Sequence, residues 1–379
     1  MAASTTRVLG NLALSIVTLV IALALGETVV RLFYKDEASL FPRYHTDYQY
    51  GTYLIRGIRP NSEFWHTSVD GSWKYVTNGK GFRNVVDFSY DKPQGTYRVL
   101  SLGDSHTQGY EVRQESTFTA VLERSLATRH TKVEAINAGV SGFSTSEALV
   151  FLENEGVKYH PDAVVLGFYA NDFEDNLKAG LFSLDDQEKL IEIKREHIPG
   201  VRLQNFIYNV PPLRWLSENS YFYSLLFNTV WKYFKYRLRQ EAAKTDPKLQ
   251  SSVSRHDDFE YAIPATTRLT EYQIALAASL IERMHRFCEA RGIRLIVVDI
   301  PVGLQPFRFI SSFPPQLVAR LRALGIEFLD SKALYAGFDG VAELHLPHGQ
   351  RHISEIAHTL IGVSVGRSLL SSRAFPKPK

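Results

Sequence analysis

Cysteine is almost absent. Cys288 stands alone among 379 residues, so no internal disulfide is available and the redox compartment is left open. It lies in "RMHRFCEARGI" at helical spacing and reads as a small core residue. An excess of one charge is lacking too. Against 43 Lys and Arg stand 40 Asp and Glu, a net charge of +3, and no long basic stripe appears, so no nucleic-acid partner is expected. Neither GxxxxGK[ST] nor GxGxxG occurs, so no nucleotide cofactor is expected. HExxH is missing, and Pro347 and Gly349 keep His348 and His352 off one regular helix. A metal site, the usual reason for clustered histidines, is therefore not expected either.

What is present is an ordinary globular composition, 45% hydrophobic and 22% charged, preceded by one long uncharged run. Val8 to Gly26 spans 19 residues without a charge. As a helix that is about 28 Å, close to the thickness of a bilayer core. A cleaved signal peptide competes, since Ala24 and Gly26 make a small-residue site, but the run is long for a signal peptide's apolar region. The expectation is a single-pass membrane anchor over residues 1–35. Arg7 precedes the run while Arg31, Lys35 and Arg43 follow it, so charge balance does not favour export. Long domains translocate largely regardless of such charges, and the following domain is placed outside the cytoplasm, on the periplasmic side.

Residues 36–95 read as a juxtamembrane segment with short strands, with hairpin signals at Asp70-Gly71 and Asn78-Gly79. A main domain over 96–375 follows. "YRVLSLG", "KVEAINAG", "PDAVVLGFY", "IRLIVVDIP" and "IEFLDS" read as five buried strands. "TFTAVLERSLATR", "SEALVFLENEG", "EYQIALAASLIERMHRFCEARG", "PPQLVARLRALG" and "SEIAHTLIGVSVGRSLL" read as helices. This alternation implies an α/β fold, a parallel sheet with helices on both faces. An insertion, 176–265, shows no obvious strand. Its "YFYSLLFNTVWKYFKYRLRQEA" reads as a packed helix. A lid or membrane-surface helix is the sharper alternative, with Trp231, Phe234 and Leu238 on one side and Lys232, Lys235 and Arg239 nearby.

"RVLSLGDSHTQGYEV" carries the first chemistry. A buried strand empties into Gly103-Asp104-Ser105, which places Ser105 at the carboxyl edge of the sheet, where α/β proteins bind ligands. A serine needs a base to take its proton and donors for the oxyanion. Ser105 offers its own backbone N–H at a helix start. Gly142, after the second strand, brings a bare backbone N–H close, and Asn171, after the third, brings a side-chain amide. The base is sought in "HLPHGQRHISEIAH", among His345, His348, His352 and His358.

"LGDSHTQGY", "NAGVSGFST", "YAND" and a late histidine, in that order, resemble the blocks of the SGNH (GDSL-type) esterase and acylhydrolase family, over about residues 95–180 and 270–370. The upstream "NGKGFRN" and "KPQGTYRVLSLGD" resemble its membrane-anchored bacterial members. The resemblance implies a three-layer α/β/α sandwich with a five-stranded, flavodoxin-like parallel sheet. It implies Ser105 as nucleophile, with Gly142, Asn171 and the Ser105 N–H as oxyanion hole. His352 would be the base, because "QRHISEIAH" resembles the block D-x-H-x-(S/N)-x-x-G-H, with His358 as its structural second histidine. The implied reaction is cleavage of an ester, O-acyl or O-acetyl, in a small molecule, lipid or glycan. O-acyl transfer to a cell-envelope glycan uses the same site and intermediate.

The family's acid stands two or three residues before the base, and here Gln350 and Gly349 occupy those positions. Ala357 also replaces the block's usual glycine. Loss of the acid costs up to about four orders of magnitude in a serine protease triad. Three readings are open. Gln350, a backbone carbonyl or a distant acid such as Glu343 orients His352, leaving a working dyad; or His345 or His348 is the base; or the domain is a catalytically silent binding protein. The dyad is favoured, since a histidine base acts without a third member. Asp104 and Asp172 are read as structural, Asp299 as a remote substitute acid, and His106 as not the base.

Overall fold

The computed structural model describes residues 2–127, 132–245, 269–305, 307–348, 352–371 and 375. Helix α1 (Ala2–Phe33) comes first. Its stretch Arg7–Phe33 is long and apolar enough to cross a membrane, and none of its apolar window is buried against the rest of the chain. Two antiparallel hairpins follow, β1 (His45–Tyr50) with β2 (Tyr53–Ile58) and β3 (Glu63–Ser68) with β4 (Gly71–Val76). The turn at Asp70-Gly71 is where the sequence predicts it. Asn78-Gly79 is not a second hairpin. There the Asn78 side-chain oxygen accepts from Lys80 N and Phe82 N, closing a local turn instead. The β1–β2 hairpin is an unforeseen element.

The expected alternation is then observed. Strands β5 (Thr96–Gly103), β6 (Lys132–Asn137) and β7 (Ala163–Phe168) are separated by α2 (Ser105–Gln108), α3 (Phe118–Leu126) and α4 (Thr145–Asn154), and β7 leads into α5 (Asp172–Ala179). The insertion departs from its all-helical expectation. It holds short strands β8 (Phe182–Leu184), β9 (Leu190–Glu192) and β10 (Glu196–His197) before helices α6 (Val201–Asn209), α7 (Pro211–Asn219) and α8 (Tyr221–Thr245). Strands this short carry too few residues for a period of two to register. β10 pairs parallel with β2, which fastens the insertion to the first hairpin. Trp231 does not lie on an open apolar stripe. It stacks on Phe227 and sits over Gly200, while the side chains of Phe234 and Leu238 lie outside the described residues.

After the insertion, α9 (Glu271–Glu289) leads to β11 (Arg294–Asp299). A small hairpin of β12 (Val302–Gln305) and β13 (Arg308–Ile310) precedes α10 (Pro315–Ala323), β14 (Glu327–Leu329), α11 (Ser331–Leu334) and α12 (Glu355–Leu370). The central sheet has the order β14-β11-β7-β5-β6 with every pair parallel. Numbering its five strands along the chain gives 2-1-3-4-5, the flavodoxin-like order, whose switch point lies between β5 and β7.

Both faces are covered, so the strands run as nearly continuous apolar stretches. Leu100, Leu102, Val164, Leu166, Leu295 and Val297 face a layer that includes α4 and α9. Val99, Val165, Ile296 and Val298 face α3 and α12, through Phe118, Leu122, Ile361 and Val365. Each such buried side chain contributes about 1.5–3 kcal/mol. Cys288 is fully buried on α9, as expected, and burial pushes its thiol up to about 12. At the other end, Glu27 of α1 accepts hydrogen bonds from Ser220 Oγ (2.7 Å), Tyr221 N (3.1 Å) and Phe222 N (3.0 Å). The carboxylate thus satisfies the free N–H groups at the start of α8 and ties the insertion to α1.

Candidate active site

β5 ends at Gly103, where φ is +143° and an added Cβ would meet Thr107 Oγ1 at 2.3 Å and the Gly167 carbonyl at 2.6 Å. Only glycine fits this bend against β7. Asp104 then caps α2, its side chain accepting from His106 N at 2.8 Å. Of residues 96 to 112, Ser105 alone is not buried. The same holds for the other two turns. Between 135 and 152 only Ser141 and Gly142 are not buried, and between 163 and 173 only Asn171. Three openings in an otherwise closed core coincide with the three positions predicted from sequence.

These openings are tied together. Asn171 Nδ2 donates to Asp104 Oδ2 at 3.3 Å. Ser141 N donates to Gln108 Oε1 at 2.9 Å, which holds the Gly142 turn against the helix that starts at Ser105. Gly142 has φ of +78°, a conformation that leaves its peptide free of a side chain. Asp104 is fully buried, and loss of hydration pushes its carboxyl up to about 7 despite the bonds from His106 N and Asn171.

The late histidines separate by their partners. His352 Nε2 lies 2.8 Å from Ser105 Oγ. His345 Nε2 instead meets the Pro301 carbonyl at 3.0 Å, and His348 Nδ1 meets Asp70 Oδ1 at 2.8 Å. Of these candidate bases, it is His352 that the fold sets in hydrogen-bond reach of Ser105 Oγ. His358 Nδ1 accepts from Phe118 N at 3.1 Å, joining α12 to α3, and burial drives its pKa down to about 3. Its ring is neutral and structural, as the resemblance implies.

The acids also sort themselves. Asp172 accepts from Thr145 Oγ1 at 2.9 Å and Tyr169 N at 3.0 Å, a structural role. Asp299 is a correction: it cannot serve His352, because it is spent on Ser311 Oγ, Ser312 N and the N and Oγ of Ser331. It clamps the loops beyond β11. Glu343 contributes its backbone carbonyl to Ser354 Oγ at 2.6 Å. Gln350 and Gly349 lie outside the described residues.

Three residues near the site, Tyr110, Glu111 and Arg56, escaped the sequence reading. The rings of Tyr110 and His106 each pack 4.6 Å from that of His352. His106 is buried and held neutral, first by loss of hydration and then by the surrounding histidines. Tyr110 also meets His66 edge-on at 4.5 Å, and His66 Nε2 lies 3.2 Å from Glu111 Oε1. Burial works to raise the Glu111 carboxyl, but His66 and the positive form of His352 hold it below its ordinary value. Glu111 is thus a buried carboxylate beside His66, whose ring meets that of Tyr110, the ring packed on His352. The third neighbour, Arg56 of β2, covers Gly142. Only the position of Glu111 six residues after Ser105 hinted at any of this.

Residues 101–246 match the model of the GDSL-like Lipase/Acylhydrolase family. A curated arylesterase of Vibrio mimicus is 25% identical over 131 residues, 31% of this chain and 66% of that protein, just under two thirds of its length. Among solved structures, the lipase/acylhydrolase from Enterococcus faecalis is 17% identical, with 72% of this chain and 95% of that one covered at a TM-score of 0.37. An acetylxylan esterase from Geobacillus stearothermophilus is 11% identical, with 74% and 97% covered at 0.38. The segment that carries Ser105, Gly142 and Asn171 is thus similar in sequence to the GDSL-like lipase/acylhydrolase family.

Proposed function

We propose that this chain is a membrane-anchored serine esterase or acylhydrolase. The observation that carries the reading is the 2.8 Å contact between His352 Nε2 and Ser105 Oγ at the sheet's switch point. His352 takes the Ser105 proton as the hydroxyl oxygen attacks the ester carbonyl. The N–H groups of Ser105 and Gly142 and the Asn171 amide stabilise the oxyanion. As the tetrahedral intermediate collapses, His352 returns the proton to the leaving alcohol and an acyl-Ser105 remains. Water, deprotonated by His352, then releases the acid and restores Ser105. Glu111 helps stabilise the imidazolium that forms at each stage.

α1 is the anchor in this reading, within residues 1–35, and 96–375 is the catalytic domain on the extracytoplasmic side. Residues 36–95 and the insertion cover the site. The test is labelling of the full chain with a fluorophosphonate probe. Wild type is expected to label, and Ser105→Ala and His352→Ala are not. Absence of Ser105-dependent labelling in folded protein removes the enzyme reading and leaves a binding protein.

A further inference from the structure

Arg56 sits where the site's cover meets the oxyanion turn. A Cβ built on Gly142 would fall 2.6 Å from its Nη2 and 2.9 Å from its Nη1, so the guanidinium lies directly on that glycine. Its side chain keeps 16% exposure. One carboxylate approaches it, Glu147 Oε1, 3.8 Å from Nε, too long for a hydrogen bond. That carboxylate is otherwise employed, with Oε1 on His197 Nδ1 at 2.9 Å and Oε2 on Ser144 N at 2.9 Å. Asp47, paired with Arg56 across β1 and β2, accepts from Asn205 Nδ2 instead. The Arg56 Nε is buried without a hydrogen-bond partner among the described residues.

A guanidinium is a rigid fork of five donors that matches a carboxylate or phosphate, and it is costly to bury with so few acceptors. Glu147 offsets its charge at 3.8 Å without accepting a hydrogen bond from Nε. We propose that Arg56 is a specificity residue of this site. It receives an anionic oxygen group, carboxylate or phosphate, carried by the ester substrate beside the carbonyl that Gly142 and Ser105 hold. The natural substrate is accordingly an ester of an acidic molecule rather than a neutral one. This inference rests on the ester-cleaving reading above.

The test compares kcat and KM of the full-length protein on phenyl acetate, 4-acetoxybenzoate, 4-acetoxyphenyl phosphate, 4-nitrophenyl acetate and mono(4-nitrophenyl) succinate. The last carries its charge on the acyl side, and the acetoxy compounds carry theirs on the alcohol side. Wild type is expected to favour at least one charged ester over its neutral counterpart. Arg56→Gln is expected to lower that charged-to-neutral ratio about tenfold or more, through KM, and Arg56→Lys to keep part of it. Equal losses on all esters, or a ratio that survives Arg56→Gln, overturn the proposal. Binding separates its failure from that of the enzyme reading. By calorimetry, Ser105→Ala is expected to bind 4-acetamidobenzoate or N-phenylsuccinamate more tightly than acetanilide, and Ser105→Ala/Arg56→Gln to lose that difference. If neither anion binds better than acetanilide, Arg56 has no such role, whether or not any ester is cleaved.

Discussion

Asn171 donates to the carboxyl of Asp104 at 3.3 Å, so the amide on the third strand's turn is steered by the residue that precedes the nucleophile on the first. The two turns meet because β5 and β7 are neighbours in the sheet although β6 separates them in the chain. Asp104 occupies this place at a cost, since it is fully buried with its carboxyl pushed up to about 7.

That cost has a sign. The folded state holds the Asp104 proton up to about pH 7, while the unfolded chain releases it near 3.8. Stability from this group is therefore fully present below about pH 4 and is lost as pH rises toward 7. Asp104→Asn is expected to flatten that decline, read as urea midpoints between pH 4 and pH 8. An unchanged slope would show that Asp104 is ionised throughout.

In the proposed mechanism Ser105 and His352 act as one unit, so their removal is not additive. Ser105→Ala, His352→Ala and the double variant should each lower kcat on 4-nitrophenyl acetate by about 10³-fold or more, with the double no worse than the worse single. Multiplying losses would mean that the 2.8 Å contact is not functional.

In the proposed mechanism Glu111 helps stabilise the imidazolium, so its removal is expected to make His352 easier to deprotonate. Glu111→Gln should move the acid limb of the kcat/KM profile to lower pH by up to about one unit and lower kcat. A profile superimposable on wild type would exclude Glu111 as a partial substitute for the missing acid.

Gly142→Ala faces a φ of +78° and a guanidinium 2.6 Å from the new methyl carbon. A cost of about 1–3 kcal/mol in stability is expected from the backbone alone. Displacing the turn should also lower kcat about 10²-fold. Thermal melting and steady-state rates distinguish the two effects, and a full-rate, merely destabilised variant would remove Gly142 from the oxyanion hole.

For the anchor, the full chain should resist extraction of membranes by alkaline carbonate, and a chain lacking residues 1–26 should be released. Release of the intact chain would argue for a cleaved leader over Val8 to Gly26.

Much of this molecule is legible one residue at a time. The five strands and the helices between them follow from apolar runs and helical spacing, and small-residue turns after the first three strands mark Ser105, Gly142 and Asn171. The choice of His352 among four histidines came from a block resemblance, and the fold sets His352 Nε2 2.8 Å from Ser105 Oγ. Short strands were expected in residues 36–95, but not the β1–β2 pairing, and β8–β10 were missed because strands of two or three residues are too short to show alternation.

Sequence by itself determined the sheet and the small-residue turns at its carboxyl edge, because these depend on local periodicity and on Gly103, which no other residue replaces. Only the tertiary structure decided who surrounds the pair. Arg56 reaches Gly142 from the β1–β2 hairpin, the ring of Tyr110 meets that of His352 from the far end of the chain, and the Asp299 carboxyl is consumed by serines beyond β11. Contacts of that kind depend on which distant surfaces are buried together, and burial is a property of the whole packed chain rather than of any window along it.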